Sequence, residues 1–127
     1  MTDVFTEHIK SRFNNVDIIV GLESRGFIIG PIVAQNLGVG FVPVRKAGKL
    51  PGETYQDKFE LQKEALKSGQ NVIIIDDLLA TGGTLRAACQ LVTKAKANVL
   101  ECVVLIQLPD LKGRDNVPCQ IKSFIDF

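Results

Sequence analysis

The chain of 127 residues has almost no excess of either charge, with 15 Lys and Arg against 14 Asp and Glu and a formal net charge of +1. It lacks the basic surplus that holds nucleic acid or an anionic membrane, so neither is an expected partner. Histidine is scarce. The single His8 lies beside Phe5 and Ile9 on an expected first helix, without partner residues for a metal or a catalytic pair, and reads as structural. Cysteine is sparse and odd in number: Cys89, Cys102 and Cys119 lack metal-ligand spacing and fall in segments read as helix or strand. Reduced core thiols, and hence a cytoplasmic protein, are expected. No apolar run approaches the ~18 residues that would span a membrane. Met1 is followed by polar Thr2-Asp3 instead of a basic and then apolar leader, so a soluble, unexported protein is expected.

What is present suits one packed core. The hydrophobic content of 46% and the length predict a single domain over 1–127 with no linker or second core. Neither internal repeats nor low-complexity stretches occur. Thr2 or Asp3 is placed to cap a first helix with Val4, Phe5, Ile9 and Phe13 on one face. Val16 to Val20 reads as a buried strand, and Gly26 to Leu37 as a helix stopped by Gly38 and bent or entered at Pro31. Phe41 to Val44 is a short strand in which Pro43, lacking a donor, implies an edge or irregular pairing. Gly48 to Lys58, with Gly, Pro and charge but no period, reads as a long loop, and Leu61 to Leu66 as a short helical turn. After Ser68-Gly69 come a strand at Val72–Ile75, a helix from about Gly83 to Ala97, a very apolar strand from Val99 to Ile106, and a last strand around Ile121 to Ile125. This alternation predicts an α/β fold, a mostly parallel central sheet flanked by helices. Ligands of such sheets gather at the C-terminal ends of strands, so turns after Val20, Val44 and Ile75 can meet in one site.

The most informative stretch is Val72-Ile73-Ile74-Ile75-Asp76-Asp77-Leu78-Leu79-Ala80-Thr81-Gly82-Gly83-Thr84. Four β-branched residues form a buried strand, and Leu85, Ala88, Cys89, Val92 and Ala95 then recur at helical spacing. The turn between them sits at a helix N-terminus, where free N–H groups and the helix dipole favour an anion. Glycines let the main chain approach it, and the Thr81 and Thr84 hydroxyls add donors. Asp76 and Asp77, at the strand end, suit the 2′ and 3′ hydroxyls of a ribose, directly or through a hydrated divalent metal. A phosphorylated sugar is the ligand this pattern predicts.

Taken in order, Ile19-Val20-Gly21-Leu22-Glu23-Ser24-Arg25-Gly26-Phe27, Val44-Arg45-Lys46-Ala47-Gly48-Lys49-Leu50-Pro51-Gly52, Asp77 to Thr84, and Leu111-Lys112-Gly113-Arg114 cover nearly the whole chain. Together they resemble the adenine-using members of the type I phosphoribosyltransferases. The resemblance implies transfer from phosphoribosyl pyrophosphate to adenine, giving AMP and pyrophosphate, with Mg²⁺ and a homodimer. It implies that Ala80, Thr81, Gly82, Gly83 and Thr84 hold the 5′-phosphate, with Asp76 and Asp77 near the ribose. Glu23, Ser24, Arg25, Arg45 and Lys49 would attend the pyrophosphate, Arg25 and Arg45 as guanidinium forks. In the family the pair matching Glu23-Ser24 carries a non-proline cis peptide, a form costing roughly 3 kcal/mol. Mg²⁺ would bridge pyrophosphate and sugar oxygens, with Asp76 or Asp77 reached through water. The carried-over catalytic set is Arg25, Arg45, Asp76, Asp77 and Glu53.

Two departures from the family pattern stand out. Family members carry an N-terminal hood over the base, which this sequence does not show before its first helix. Between Pro51-Gly52 and Phe59 only Glu53-Thr54-Tyr55-Gln56-Asp57-Lys58 remain of a longer closing loop, so Glu53 either stands in for the loop glutamate or simply follows Pro51-Gly52. A shortened lid lowers rate more than phosphate binding. Open alternatives are therefore a truncated or weakly active form, a non-catalytic nucleotide-binding or regulatory module, and a transferase for another nucleobase. A nucleoside-triphosphate P-loop is a poor match, since Gly82-Gly83-Thr84 lacks the earlier glycine and the lysine. Gly38-Val39-Gly40 precedes a strand, unlike a dinucleotide fingerprint. Lys112-Gly113-Arg114 reads most simply as a turn closure, in a region that lies near the subunit contact in the family.

Overall fold

A computed structural model describes residues 2–22, 25–46, 54–56 and 59–127. In chain order the elements are α1 (Thr2–Arg12), β1 (Ile18–Leu22), α2 (Gly26–Leu37), β2 (Gly40–Lys46), β3 (Thr54–Gln56), β4 (Phe59–Gln62), β5 (Asn71–Leu79), α3 (Gly83–Lys94), β6 (Asn98–Gln107), short 3-10 turns at Pro109–Leu111 and Gly113–Asn116, and β7 (Ile121–Asp126). The strands form one seven-stranded sheet in the order β3-β4-β2-β1-β5-β6-β7. The pairs β1–β2, β1–β5, β5–β6 and β6–β7 are parallel, whereas β2–β4 and β3–β4 are antiparallel.

The sheet separates two cores. Strand alternation sends Val72 and Ile74 of β5 to one face, against Leu85, Ala88, Cys89 and Val92 of α3. Ile73 and Ile75 go to the other face, with Phe5 and Ile9 of α1 and Ile29, Val33 and Ala34 of α2. Every one of these side chains is at most 4% exposed. Both faces of the parallel strands are covered, which is why β5 reads as a continuous apolar run and not as an alternating one.

Four expectations are corrected. The stretch 61–66 is a turn only in part: Leu61 and Gln62 end β4 (Phe59–Gln62), which pairs with β2 through Phe59 and Glu60, and the turn is confined to 63–65, where the Ala65 N–H donates to the Gln62 carbonyl at 3.1 Å. The expected long loop contains β3 at 54–56, paired with β4. The first strand begins at Ile18 and runs to Leu22, later than expected. Cys119 lies between the second 3-10 turn and β7, half-buried, instead of inside an element. Pro31 sits in an unbroken α2, exposed on its outer face. Pro43 lies opposite Gly21 of β1, ahead of the Arg45–Glu60 and Lys46–Phe59 pairs that β4 makes with β2, so its missing N–H interrupts no β4 bond.

Candidate active site

The strand order reverses direction between β1 and β5. From β1 the chain crosses through α2 to β2 on one side, and from β5 it crosses through α3 to β6 on the other. Such a switch point leaves a crevice at the strand C-termini, and there the two helix starts stand side by side. Gly21 of β1 is in register with Ile75, and Leu22 with Val44. A Cβ on Gly26 would lie 2.8 Å from the Ile75 carbonyl oxygen, so the start of α2 abuts β5 one residue before Asp76. The fold thus gathers Arg25, Arg45, Asp76, Asp77 and the turn Ala80–Thr84 at one sheet edge.

β5 does not stop at Ile75. It continues through Asp76, Asp77, Leu78 and Leu79, paired there with β6 alone: Asp76 matches Val104 and Leu79 matches Gln107. The two carboxylates are therefore strand residues whose side chains leave opposite faces, a correction to their expected place at the strand end. Asp76 is 7% exposed and Asp77 half-buried. Burial first, and the neighbouring Asp77 with it, push the Asp76 carboxyl up to about 7 despite the hydrogen bond of 2.8 Å that the Asp77 N–H donates to its Oδ1. Near neutrality Asp76 can therefore either donate to or accept from a sugar hydroxyl. A cavity of about 230 Å³ is lined by the continuous stretch from Asp76 to Leu85.

The turn after β5 is shaped by packing. Gly82 caps α3 at φ 88°, with no side-chain capping bond, and the first turn of α3 holds no acid. Its leading N–H groups face the crevice with the positive end of the helix dipole. A Cβ on Gly82 would collide with the Gly113 carbonyl oxygen, and a Cβ on Gly113 with that of Ala80. Asn116 Nδ2 donates to the Thr81 carbonyl at 2.7 Å. Arg114 fixes this support from behind. Its Nε donates to Gln107 Oε1 at 2.8 Å and its Nη1 to the Ile121 carbonyl at 2.6 Å.

Gly113, Arg114 and Asn116 therefore form a strut beneath the turn. Sequence reasoning quoted Lys112-Gly113-Arg114 but read it as a turn closure. The available signal was a glycine flanked by cations after Pro109, whose purpose shows only when residues distant in sequence meet.

The other start is built differently. Arg25 caps α2 with helical backbone angles and an exposed side chain, its carbonyl accepting from Ile28 and Ile29 N–H at 3.0 and 3.1 Å. Arg45 is a residue of β2 rather than of the turn beyond it; its guanidinium lies 5.4 Å from the centre of the Phe27 ring. Glu23, Ser24, Lys49 and Glu53 lie outside the described residues. No helix among the described residues is long and apolar enough to cross a membrane.

Known proteins agree with this geometry. The phosphoribosyl transferase domain family matches residues 2–125. The chain is 49% identical over 124 residues to adenine phosphoribosyltransferase of Stochomys longicaudatus, an alignment taking in 90% of this chain and 69% of that one. It is 49% identical over 137 positions to adenine phosphoribosyltransferase 1 of Saccharomyces cerevisiae, covering 99% of this chain and 73% of the relative. The solved structure of the Saccharomyces cerevisiae enzyme with an imino-altritol bisphosphate and adenine superposes with a TM-score of 0.94 at 50% identity, over 96% of this chain and 75% of that one. The enzyme of Thermoanaerobacter pseudethanolicus gives 0.92 at 42% identity, over 99% and 77%. With the crevice, the glycine turn and these likenesses in agreement, the chain belongs to the phosphoribosyl transferase domain family, among its adenine phosphoribosyltransferases.

Proposed function

We propose that this chain carries the phosphoribosyl group of phosphoribosyl pyrophosphate to adenine, releasing AMP and pyrophosphate, through the crevice between β1 and β5. The observation that carries this reading is the Ala80–Thr84 turn at the start of α3, lining one cavity with the two carboxylates of the β5 segment that extends past β1. In it the 5′-phosphate rests on the N–H groups of Thr81 to Thr84, and Asp76 and Asp77 hold the ribose. Cleavage at C1 leaves positive character on the sugar, which a carboxylate below the ring stabilises. Arg25 and Arg45, on the α2 side, receive the departing pyrophosphate, where a guanidinium stays charged at any working pH. Glu23, Ser24, Lys49 and Glu53 complete the proposed set. The yeast relative was solved with a bisphosphate imino-sugar and adenine, ligands of the class this reading calls for.

The donor set fits Mg²⁺ arriving with substrate. Hard carboxylate oxygens at Asp76 and Asp77 leave opposite faces of one strand, which suits contact through water and not a two-carboxylate cage. When bound, the ion would neutralise charge on the leaving group. We further propose a single domain over 1–127, a homodimer and a cytoplasmic setting, consistent with a chain whose described helices include no membrane span. Supplying phosphoribosyl pyrophosphate and Mg²⁺ with adenine, hypoxanthine, guanine or uracil in separate reactions tests the reading. AMP from adenine alone is expected; a product from another base would reassign the substrate. AMP binding without any turnover would leave only a nucleotide-binding module.

A further inference from the structure

Away from the crevice, on the α3 face of the sheet, three thiols converge from three different parts of the chain. Cys89 comes from α3, Cys102 from β6, and Cys119 from the segment leading into β7. Cys119 Sγ lies 3.1 Å from Cys89 Sγ, and Cys89 Sγ 3.6 Å from Cys102 Sγ. All three sulfurs fall within 4.8 Å of one another, and all are free thiols. Ordinary core packing explains an isolated buried cysteine well, since the thiol behaves as a small apolar group. It does not call for three sulfurs in mutual contact, because S–H is a weak donor and gains little from each meeting.

We propose that Cys89, Cys102 and Cys119 form a binding site for one thiophilic d¹⁰ metal ion, with monovalent copper as the best match. An ion at ~2.3 Å from each ligand holds three sulfurs about 4.0 Å apart in a trigonal plane and about 3.8 Å apart in a tetrahedron. The two contacts through Cys89 need to open by less than about 1 Å to reach either, and the Cys102–Cys119 separation, within 4.8 Å, needs to close by no more than about 1 Å. Cys119, half-buried and outside any helix or strand, is the ligand free to make that adjustment. Entry is provided by a groove of about 620 Å³ lined by Cys89, Gln90, Thr93, Lys94 and Pro118. Among the described residues no His, Asp or Glu joins the cluster, and the Thr93 hydroxyl already donates to the Cys89 carbonyl at 2.8 Å. Three soft sulfurs without a fourth protein ligand favour monovalent copper, whereas zinc would need a water from the groove.

The test uses the full chain, reduced and handled without oxygen, titrated separately with monovalent copper held by a competing chelator and with Zn²⁺. One equivalent of copper, with thiolate-to-copper charge-transfer absorption and a raised unfolding midpoint, is the expected result. One equivalent of zinc instead, with copper excluded, would support the site and assign it to the four-coordinate ion. Cys119→Ser, at a half-exposed position, should fold, retain transferase activity, and bind the ion at least 100-fold more weakly with no shift in midpoint. No stoichiometric uptake by the wild-type chain overturns the proposal, as does retained tight binding in Cys119→Ser.

Discussion

The two helix starts that meet at the switch point solve the same problem by opposite means. The turn into α3 offers backbone: a glycine at positive φ, uncapped N–H groups, and a strut of Gly113 and Asn116 that holds the turn in shape. The turn into α2 offers a side chain, the exposed Arg25, on a cap of ordinary helical backbone. In the proposed reading, main-chain donors hold a group of fixed shape that stays with the product, the 5′-phosphate. In the same reading, an exposed arginine, a rigid guanidinium fork on a mobile stem, suits a group that must leave. The environments differ too: Asp76 beside the first turn carries the cost of desolvation, while Arg25 at the second remains in water.

The sharpest way to break this contrast is at the glycine contact. Gly82→Ala puts a methyl against the Gly113 carbonyl at a φ that alanine resists. Overpacking of this kind costs about 1–3 kcal/mol of stability, and titration calorimetry should find AMP binding weakened at least about 100-fold as the N–H groups lose alignment. Unchanged AMP affinity would end the assignment of the phosphate to this turn. Next is Asp76→Asn. A carboxyl raised from 3.8 to about 7 keeps in the folded state a proton that the unfolded chain releases, so stability falls as pH climbs from about 4 to about 7 and is flat above. The amide removes that fall. At pH 8 the variant should be more stable than the wild type by up to about 4 kcal/mol, with little difference at pH 4, while transferase activity drops. Equal denaturant midpoints at both pH values would show that Asp76 is not buried at a cost.

Arg25→Ala probes the other side. Loss of a charged hydrogen-bonding group is worth about 1.5–3 kcal/mol, so the KM for phosphoribosyl pyrophosphate should rise roughly 10- to 100-fold while calorimetric AMP affinity stays put. A parallel loss of AMP would merge the two turns into one phosphate site. The smallest effect is expected from Asn116→Ala, which removes one exposed hydrogen bond to Thr81. It should weaken AMP by about five-fold, near 1 kcal/mol.

The legible parts of this molecule were those decided by local pattern. The apolar run of β5, the helical spacing after Gly83 and the glycine stop at Gly38 each fix an element from neighbours in sequence. The convergence of Arg25, Arg45 and the Ala80–Thr84 turn followed from the rule that parallel strands present their C-termini together. What stayed hidden depended on distant partners. Phe59–Gln62 is a strand because β2 and β3 pair with it, and without those partners Leu61 and Gln62 read as the start of a helical turn over 61–66. By local pattern alone Asp76 and Asp77 end a strand, which pairing with β6 extends through Leu79. Three cysteines with no motif spacing meet because α3, β6 and the approach to β7 are stacked on one sheet face.

The clamp between Gly82 and Gly113 also bears on the order in which the protein matures. The turn that follows β5 takes its final shape only against residues synthesised a whole helix and strand later. A nascent chain emerging from the ribosome can therefore assemble β1, β2 and β5 early, yet the proposed phosphate turn gains its clamp only when the segment after β6 has docked. On the proposed phosphate assignment, a chain stalled before Gly113 would hold most of its sheet yet lack the clamp that shapes the phosphate turn.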